Sequence, residues 1–347
     1  MWMIRLLVGA LRIRLLKQRV PLTVCFELTQ RCPAQCSYCF ITQNPVQEMT
    51  TSEVFARIDG LRAAGTARIA FSGGEALLRP DLPDLIAYAR KRGLWVSVNT
   101  SGMGVRKLAS RLEGANAVVV SLNGDREAHE RTRQGSRYDE ALEGIDWALA
   151  RGIDVVTITV LSRNNLDALP HVFELARRKG FWSSFQPLLR PSQPDQPFPE
   201  EQMLTREELA AAVRVLRAAR ASGYPILNSN AYLDYLSELA AGKDITRHCT
   251  WALGACVIHP DGRMSACQVF AQDKVVPTGT VDALLEDFRR IRRPVCNGIC
   301  PGAHYEMAAL FQLDPQAIAN ALRMLAARNL QKCKGFLSRL RREGADR

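Results

Sequence analysis

Between residues 22 and 189 the chain moves back and forth between two hydrophobic periods. LTVCFELT (22–29), ARIAFSG (67–73), GLWVSVNT (93–100), NAVVVSLNG (116–124), IDVVTITVL (153–161) and FWSSFQPLL (181–189) are β-branched and nearly continuously apolar. That is the pattern of strands covered on both faces. Between them, apolar residues recur every three to four positions and predict helices near 51–64, 82–91, 105–112, 138–150 and 166–178. Six strands with five intervening helices predict a parallel α/β sheet or partial barrel.

The pattern then changes. Prolines 187, 191, 194, 197 and 199 mark a linker, a helix is predicted near 205–221, and from about residue 230 cysteines appear. VIHPDGRMSACQV (257–269) reads as a hairpin turning at Asp261-Gly262, and Asp314-Pro315 starts a last helix with proline at its first position. The expected division is a first helix over 1–20, an α/β unit over 21–190, linker and helix over 191–230, and a small cysteine-rich domain over 231–347.

Residues 3–19 form an amphipathic helix in which Ile4, Leu7, Val8, Leu11 and Leu15 share a face edged by Arg5, Arg12 and Arg19. Charge interrupts it too often for a bilayer span. Two readings remain: a helix packed on the rim of the α/β unit, or one lying in the plane of an anionic membrane surface.

Composition changes the picture only in part. Hydrophobic residues make up 47% and charged residues 23%, a globular balance. The net charge of +11 suggests nucleic acid, yet residues 1–20 hold five basic and no acidic residues, and residues 332–347 hold six basic and two acidic. The 311 residues between them carry only +2. Charge confined to two ends is not a nucleic-acid groove, and no nucleic-acid partner is expected. The opening residues carry no secretory signal, so a reducing, cytoplasmic setting is expected, on the inner face of a membrane if the first helix binds one. In that setting ten cysteines suggest metal rather than disulfides.

Cys32, Cys36 and Cys39 follow the first strand, at the end where parallel α/β folds place their chemistry. Three thiolates are one short of a structural zinc site. They suit a four-iron cluster with one iron left open, and the C-x3-C-x2-C spacing lets one short loop wrap it.

This stretch, CPAQCSYC with Tyr38 before the third cysteine, resembles the signature of the radical SAM superfamily. The resemblance implies a partial (β/α)6 TIM-like barrel, a [4Fe–4S] cluster on Cys32, Cys36 and Cys39, and S-adenosylmethionine bound at the open iron. It further implies reductive cleavage to a 5′-deoxyadenosyl radical that takes hydrogen from substrate. SGGEA (72–76) resembles the motif in which Gly73, Gly74 and Glu75 receive the methionine amino group, with Ala76 where proline is usual. SVNTSG (97–102) resembles the ribose-contacting strand, through Ser97 and Asn99. VSLNGDREAHERTRQG (120–135) resembles a stretch in which Ser121, Asn123 (aspartate is usual) and Arg133 contact the cofactor, Arg133 pairing with its carboxylate.

Cys249, Cys256, Gly262-x4-Cys267 and CNGIC (296–300) resemble the SPASM or twitch extension of that superfamily. Carried over, the ligands of one auxiliary [4Fe–4S] cluster are Cys249, Cys256, Cys267 and Cys300. The run that would hold a second is incomplete, which leaves Cys296 and Cys333 unassigned. Cys25 and Glu27, in phase on the first strand, are candidate catalytic residues if their face looks into the barrel, with Cys25 a hydrogen-atom donor or a small core residue.

The implied partners are an electron donor such as flavodoxin or ferredoxin and a substrate. A peptide or protein is the leading expectation, although the signature begins at residue 32 and leaves no room for a preceding recognition domain. A small metabolite, a sugar or cofactor precursor, is the alternative, and a lipid or membrane-bound precursor a third. A non-catalytic iron–sulfur electron carrier would have no use for the motifs that hold methionine.

Overall fold

The computed structural model describes residues 2–39, 41, 46–190, 198–245, 247–267, 284–291, 293, 295–296 and 300–323. The proline-rich stretch 191–197 and Cys333 lie outside them, as do the side chains of 247, 248, 295 and 296.

The strands are β1 Thr23–Glu27, β2 Arg68–Ser72, β3 Trp95–Thr100, β4 Ala117–Ser121, β5 Asp154–Leu161, β6 Trp182–Pro187, β7 Arg247–His248, β8 Ala255–Ile258, β9 Met264–Ser265 and β10 Val295–Cys296. The α-helices are α1 Trp2–Leu16, α2 Thr51–Ala63, α3 Leu82–Lys91, α4 Val105–Leu108, α5 Arg126–Thr132, α6 Tyr138–Ala150, α7 Leu169–Lys179, α8 Arg206–Ala221, α9 Asn230–Ala240, α10 Leu284–Arg290 and α11 Gly302–Phe311. Residues 315–323 form a further helix whose first turn Asp314 caps, its Oδ1 accepting from the Ala317 amide at 2.9 Å.

β1 to β6 pair in parallel in chain order, as the alternation predicts. Thr50 and Glu53 close a capping box on α2, and Thr205 and Glu208 close another on α8, so both helices start where their sequences provide reciprocal acceptors. Val24, Phe26, Ile69, Phe71, Val96, Val98, Val118 and Val120 turn towards the helices and form the core. The alternate positions, among them Cys25, Glu27, Ser72, Ser97, Asn99 and Ser121, therefore face the concave side of the sheet.

Two features depart from the sequence reading. The 105–112 helix is one α-helical turn, α4, followed by 3₁₀ residues Ala109–Leu112. The hairpin expected in a separate domain is joined to the barrel: β8 pairs in parallel with β1, and β9 pairs antiparallel with β8. One sheet thus runs β6-β5-β4-β3-β2-β1-β8-β9. β1, which leads into the cysteine loop, is an interior strand buried along its whole length.

Candidate active site

Three loops meet above the ends of β1, β2 and β4. The glycine turn after β2 lies directly on residues 29–31, which run into Cys32. The Gly74 amide donates to Thr29 O at 2.7 Å and the Glu75 amide to Arg31 O at 2.9 Å. A Cβ on Gly73 would lie 2.3 Å from Thr29 O, and one on Gly74 would lie 2.4 Å from Arg31 O. Gly73 also has φ of +128°, so only glycine permits this approach. On the other side, Gln35 N donates to Gln134 O at 2.7 Å, which ties the cysteine loop to the segment holding Arg133.

Tyr38 sits at that junction. Its hydroxyl accepts from Asn123 Nδ2 at 3.0 Å and Arg133 Nη1 at 3.2 Å. Burial raises the Tyr38 pKa, so the phenol stays protonated. Asn123 is fully buried and uses its whole amide: Oδ1 accepts from Val160 N at 3.0 Å, and Nδ2 also donates to Thr132 Oγ1 at 3.1 Å. An aspartate there would lack the Nδ2 donor. His129 accepts from the Asn123 amide through Nδ1 at 3.3 Å, which leaves the proton on Nε2, 3.0 Å from Ser136 Oγ. Burial, then the Arg133 charge, lower the His129 pKa to about 3.

Arg133 is half-buried, and its Nε is a buried donor with no partner among the described residues. Burial alone would lower its pKa, but the bond it donates to Tyr38 works against that, the net direction is upward, and the guanidinium stays charged. Burial raises the Cys32 thiol to about 11, against a stabilising bond from the Ala34 backbone, and raises Cys39 as well. Such thiols stay protonated until a metal displaces the proton.

Glu75 takes a different place from the one its motif suggested. It is fully buried: Oε1 accepts from Leu77 N at 3.1 Å, and Oε2 accepts from Ser101 N at 2.8 Å and Ser101 Oγ at 2.6 Å. Burial raises its pKa, opposed by those bonds. The carboxylate joins the turn after β2 to the turn after β3, and the partly exposed portion of the motif is Gly73 and Gly74. Nearby, Gln30 Oε1 is buried without a partner among the described residues. Asn99 Nδ2 donates to Ser72 Oγ at 3.3 Å, while Ser97 is buried and Ser121 half-buried.

Glu27 and Cys25 are both buried. Cys25 bonds Ser72, and burial followed by the Glu27 charge raises its pKa strongly. Glu27 Oε2 pairs with His259 Nδ1 at 2.8 Å, and His259 Nε2 bonds Ser265 Oγ at 2.8 Å. This network, which the sequence did not suggest, locks the hairpin to β1. The register places it there: His259 is in phase with Val257, which is level with Cys25.

The second set of cysteines comes from separate elements rather than one loop. Cys256 is level with Val24 and turns with it into the hydrophobic core. Burial raises its thiol pKa to about 12. Ser265, level with Val257, takes the opposite face. Cys267 lies outside that core cluster, its Sγ 3.9 Å from His304 Nδ1, and His304 stacks on Trp251 with centroids 3.9 Å apart. Cys249 and Cys300 are half-buried beside the core. Among the described residues, no three His, Cys, Asp or Glu side chains converge as a metal-binding group.

Three cysteines on one loop, an arginine donor without a partner among the described residues and a glycine turn packed on that loop together define a class of site. Residues 26–176 match the family model of the radical SAM superfamily. Over 166 residues it is 34% identical to the Fe-coproporphyrin III synthase of Methanosarcina barkeri, covering 46% of this chain and 41% of that protein. Over 168 residues it is 35% identical to the PqqA peptide cyclase of Streptomyces rochei, covering 45% of each chain. The chain thus aligns with less than half the length of these curated relatives. Among solved structures, anSMEcpe with bound AdoMet shares the fold with a TM-score of 0.62 at 15% identity, over 86% of this chain and 98% of that one. Streptococcus suis SuiB bound to precursor peptide SuiA does so with a TM-score of 0.60 at 11% identity, over 86% and 66%.

A radical SAM domain works with a [4Fe–4S] cluster and S-adenosylmethionine, and the residues present fit them. The orphaned Arg133 Nε suits a carboxylate and the orphaned Gln30 Oε1 suits an ammonium.

Proposed function

We propose that this chain is a radical SAM enzyme that modifies a peptide, with Cys32, Cys36 and Cys39 holding the catalytic cluster. Cluster and cofactor together supply one-electron reductive cleavage of S-adenosylmethionine and a radical able to abstract hydrogen from carbon. The protein's own residues do the rest. Arg133 holds the methionine carboxylate, positioned by Tyr38 and Asn123. The backbone of Gly73 and Gly74, supported from below by Glu75 and joined by Gln30, receives the ammonium end. Ser97, Asn99 and Ser121 line the concave face beside them. Cys25 and Glu27 face the same side from β1, where a thiol can return a hydrogen atom to substrate.

The observation that carries this reading is the buried, unpartnered Arg133 Nε on the same loop junction as Tyr38 and the three cysteines. The auxiliary cluster would be held by Cys249, Cys267 and Cys300; Cys256 would have to leave the core to join them. A flavodoxin or ferredoxin would supply the electron, in a cytoplasmic setting.

Two relatives support the peptide substrate: one is named for a peptide cyclase, and the other binds its precursor peptide. The Fe-coproporphyrin III synthase likeness favours a second reading, a small metabolite. Changing Cys32, Cys36 and Cys39 together to Ala should abolish 5′-deoxyadenosine formation. If the triple variant still cleaves S-adenosylmethionine under reduction, the site is misassigned. Growth with and without a candidate precursor peptide, read by mass spectrometry of that peptide, separates the two substrate classes.

A further inference from the structure

The first helix is docked the wrong way round for a helix that serves only packing. Gly9, Ala10 and Ile13 are its buried positions. Ile13 packs with Leu22, Met307, Ala308 and Phe311, and a Cβ on Gly9 would fall 2.0 Å from Leu22 Cδ2. Trp2 sits 6.0 Å from the Trp95 ring, and Arg12 Nε donates to Gln18 Oε1 at 2.9 Å, fixing both ends. The small residues face in and the large aliphatic ones face out. Met3, Ile4, Leu7, Val8, Leu11 and Leu15 are between 37% and 67% exposed. Of ten exposed large hydrophobic residues among the described residues, seven lie on α1.

At about 100° per residue these six positions span an arc of roughly 140°. Arg5 and Arg12 border one edge, and Arg14 lies within the other. A contiguous apolar face of this kind marks a binding surface rather than scattered surface hydrophobicity. We propose that the outward face of α1 seats on an anionic lipid surface, with the helix in the plane of the interface and the exposed Arg14 among the headgroups. No helix among the described residues is long and apolar enough to cross a membrane, so this contact lies on the bilayer rather than through it.

Charge selects the occupant. Residues 1–20 contain no acidic side chain, and the first one along the chain is Glu27, which is buried against His259. Two copies meeting through this face would crowd arginines with no carboxylate on α1 to offset them. Anionic headgroups offset them directly. The proposal is independent of the radical chemistry, since the face is on the rim and uses none of the residues assigned to the cofactor.

Flotation of the cluster-loaded full chain tests it, with vesicles of phosphatidylcholine alone or mixed with phosphatidylglycerol. The full chain should float with the mixed vesicles, at least ~10-fold more than with phosphatidylcholine, and high salt should release it. Leu7→Glu with Leu11→Glu, both exposed, should abolish flotation while leaving iron content and thermal midpoint unchanged. Full-length protein that stays below the vesicles at low salt overturns the proposal. So does a double variant that still floats, or a dimer in vesicle-free buffer that the double variant converts to monomer.

Discussion

Arg133 is the residue on which cofactor affinity should depend most directly. Its charge is kept against the pull of burial, with a bond donated to Tyr38, and its Nε has no partner among the described residues. Loss of a charge-assisted bond costs about 1.5–3 kcal/mol, so Arg133→Ala should weaken S-adenosylmethionine binding roughly 10- to 100-fold with iron content unchanged. Calorimetric titration of the loaded protein measures this, and unchanged affinity would make Arg133 structural. Glu75 was legible only as a motif letter. The sequence indicated a conspicuous carboxylate beside two glycines, but not that Ser101 and Leu77 would claim both its oxygens. Glu75→Gln should therefore lower stability by about 1–3 kcal/mol, because an amide nitrogen would meet donors already in place. Urea unfolding reads this effect, and an unaltered midpoint would return the carboxylate to the ligand. Cys256 gives the converse lesson. The resemblance grouped it with Cys249, Cys267 and Cys300, while its register opposite Val24 buries it among apolar side chains. Cys256→Ala should keep the auxiliary iron in a Cys32, Cys36, Cys39 triple variant, and loss of about four irons would restore it as a ligand.

At the scale of elements, β1 to β6 and their helices were readable because both-faces-buried strands and 3.6-period helices leave different patterns in the chain. What periodicity could not show is which distant strand completes the sheet. β8 follows β1 by more than 200 residues, yet it is β1's second neighbour. No local pattern encodes that pairing; it is settled by Glu27, His259 and Ser265, three polar residues that find partners only when the strands are side by side. The glycine turn after β2 is the element most sensitive to one added atom. Gly73→Ala would place a methyl 2.3 Å from Thr29 O at a φ of +128°. Relieving that clash must push the turn away from the segment leading into Cys32. The variant should melt earlier and bind S-adenosylmethionine more weakly, and a differential scan with and without the cofactor measures both.

Over the whole molecule, acid should weaken the fold through groups buried neutral, and His129 is the clearest. Its pKa is lowered from the model-compound value of 6.5 to about 3 by burial and then by Arg133. Below pH 6.5 the unfolded chain takes up a proton that the folded chain refuses. This contribution is therefore complete above pH 6.5 and declines as pH falls towards 3, by up to about 1.4 kcal/mol per unit. His304, lowered to about 4 by burial, acts in the same direction. Glu75 and Glu306 act in the other, since burial raises their pKa values and the folded chain holds their protons longer. The total pH profile mixes these signs, so the difference between wild type and His129→Gln is the informative quantity. Urea midpoints of both proteins from pH 7 to pH 4 should converge as pH falls, because the variant has no imidazole to keep neutral. A gap that stays constant or widens on acidification would mean that His129 is protonated in the folded chain. The Asn123 amide would then lose its acceptor, and the positioning of Tyr38 and Arg133 would rest on other contacts.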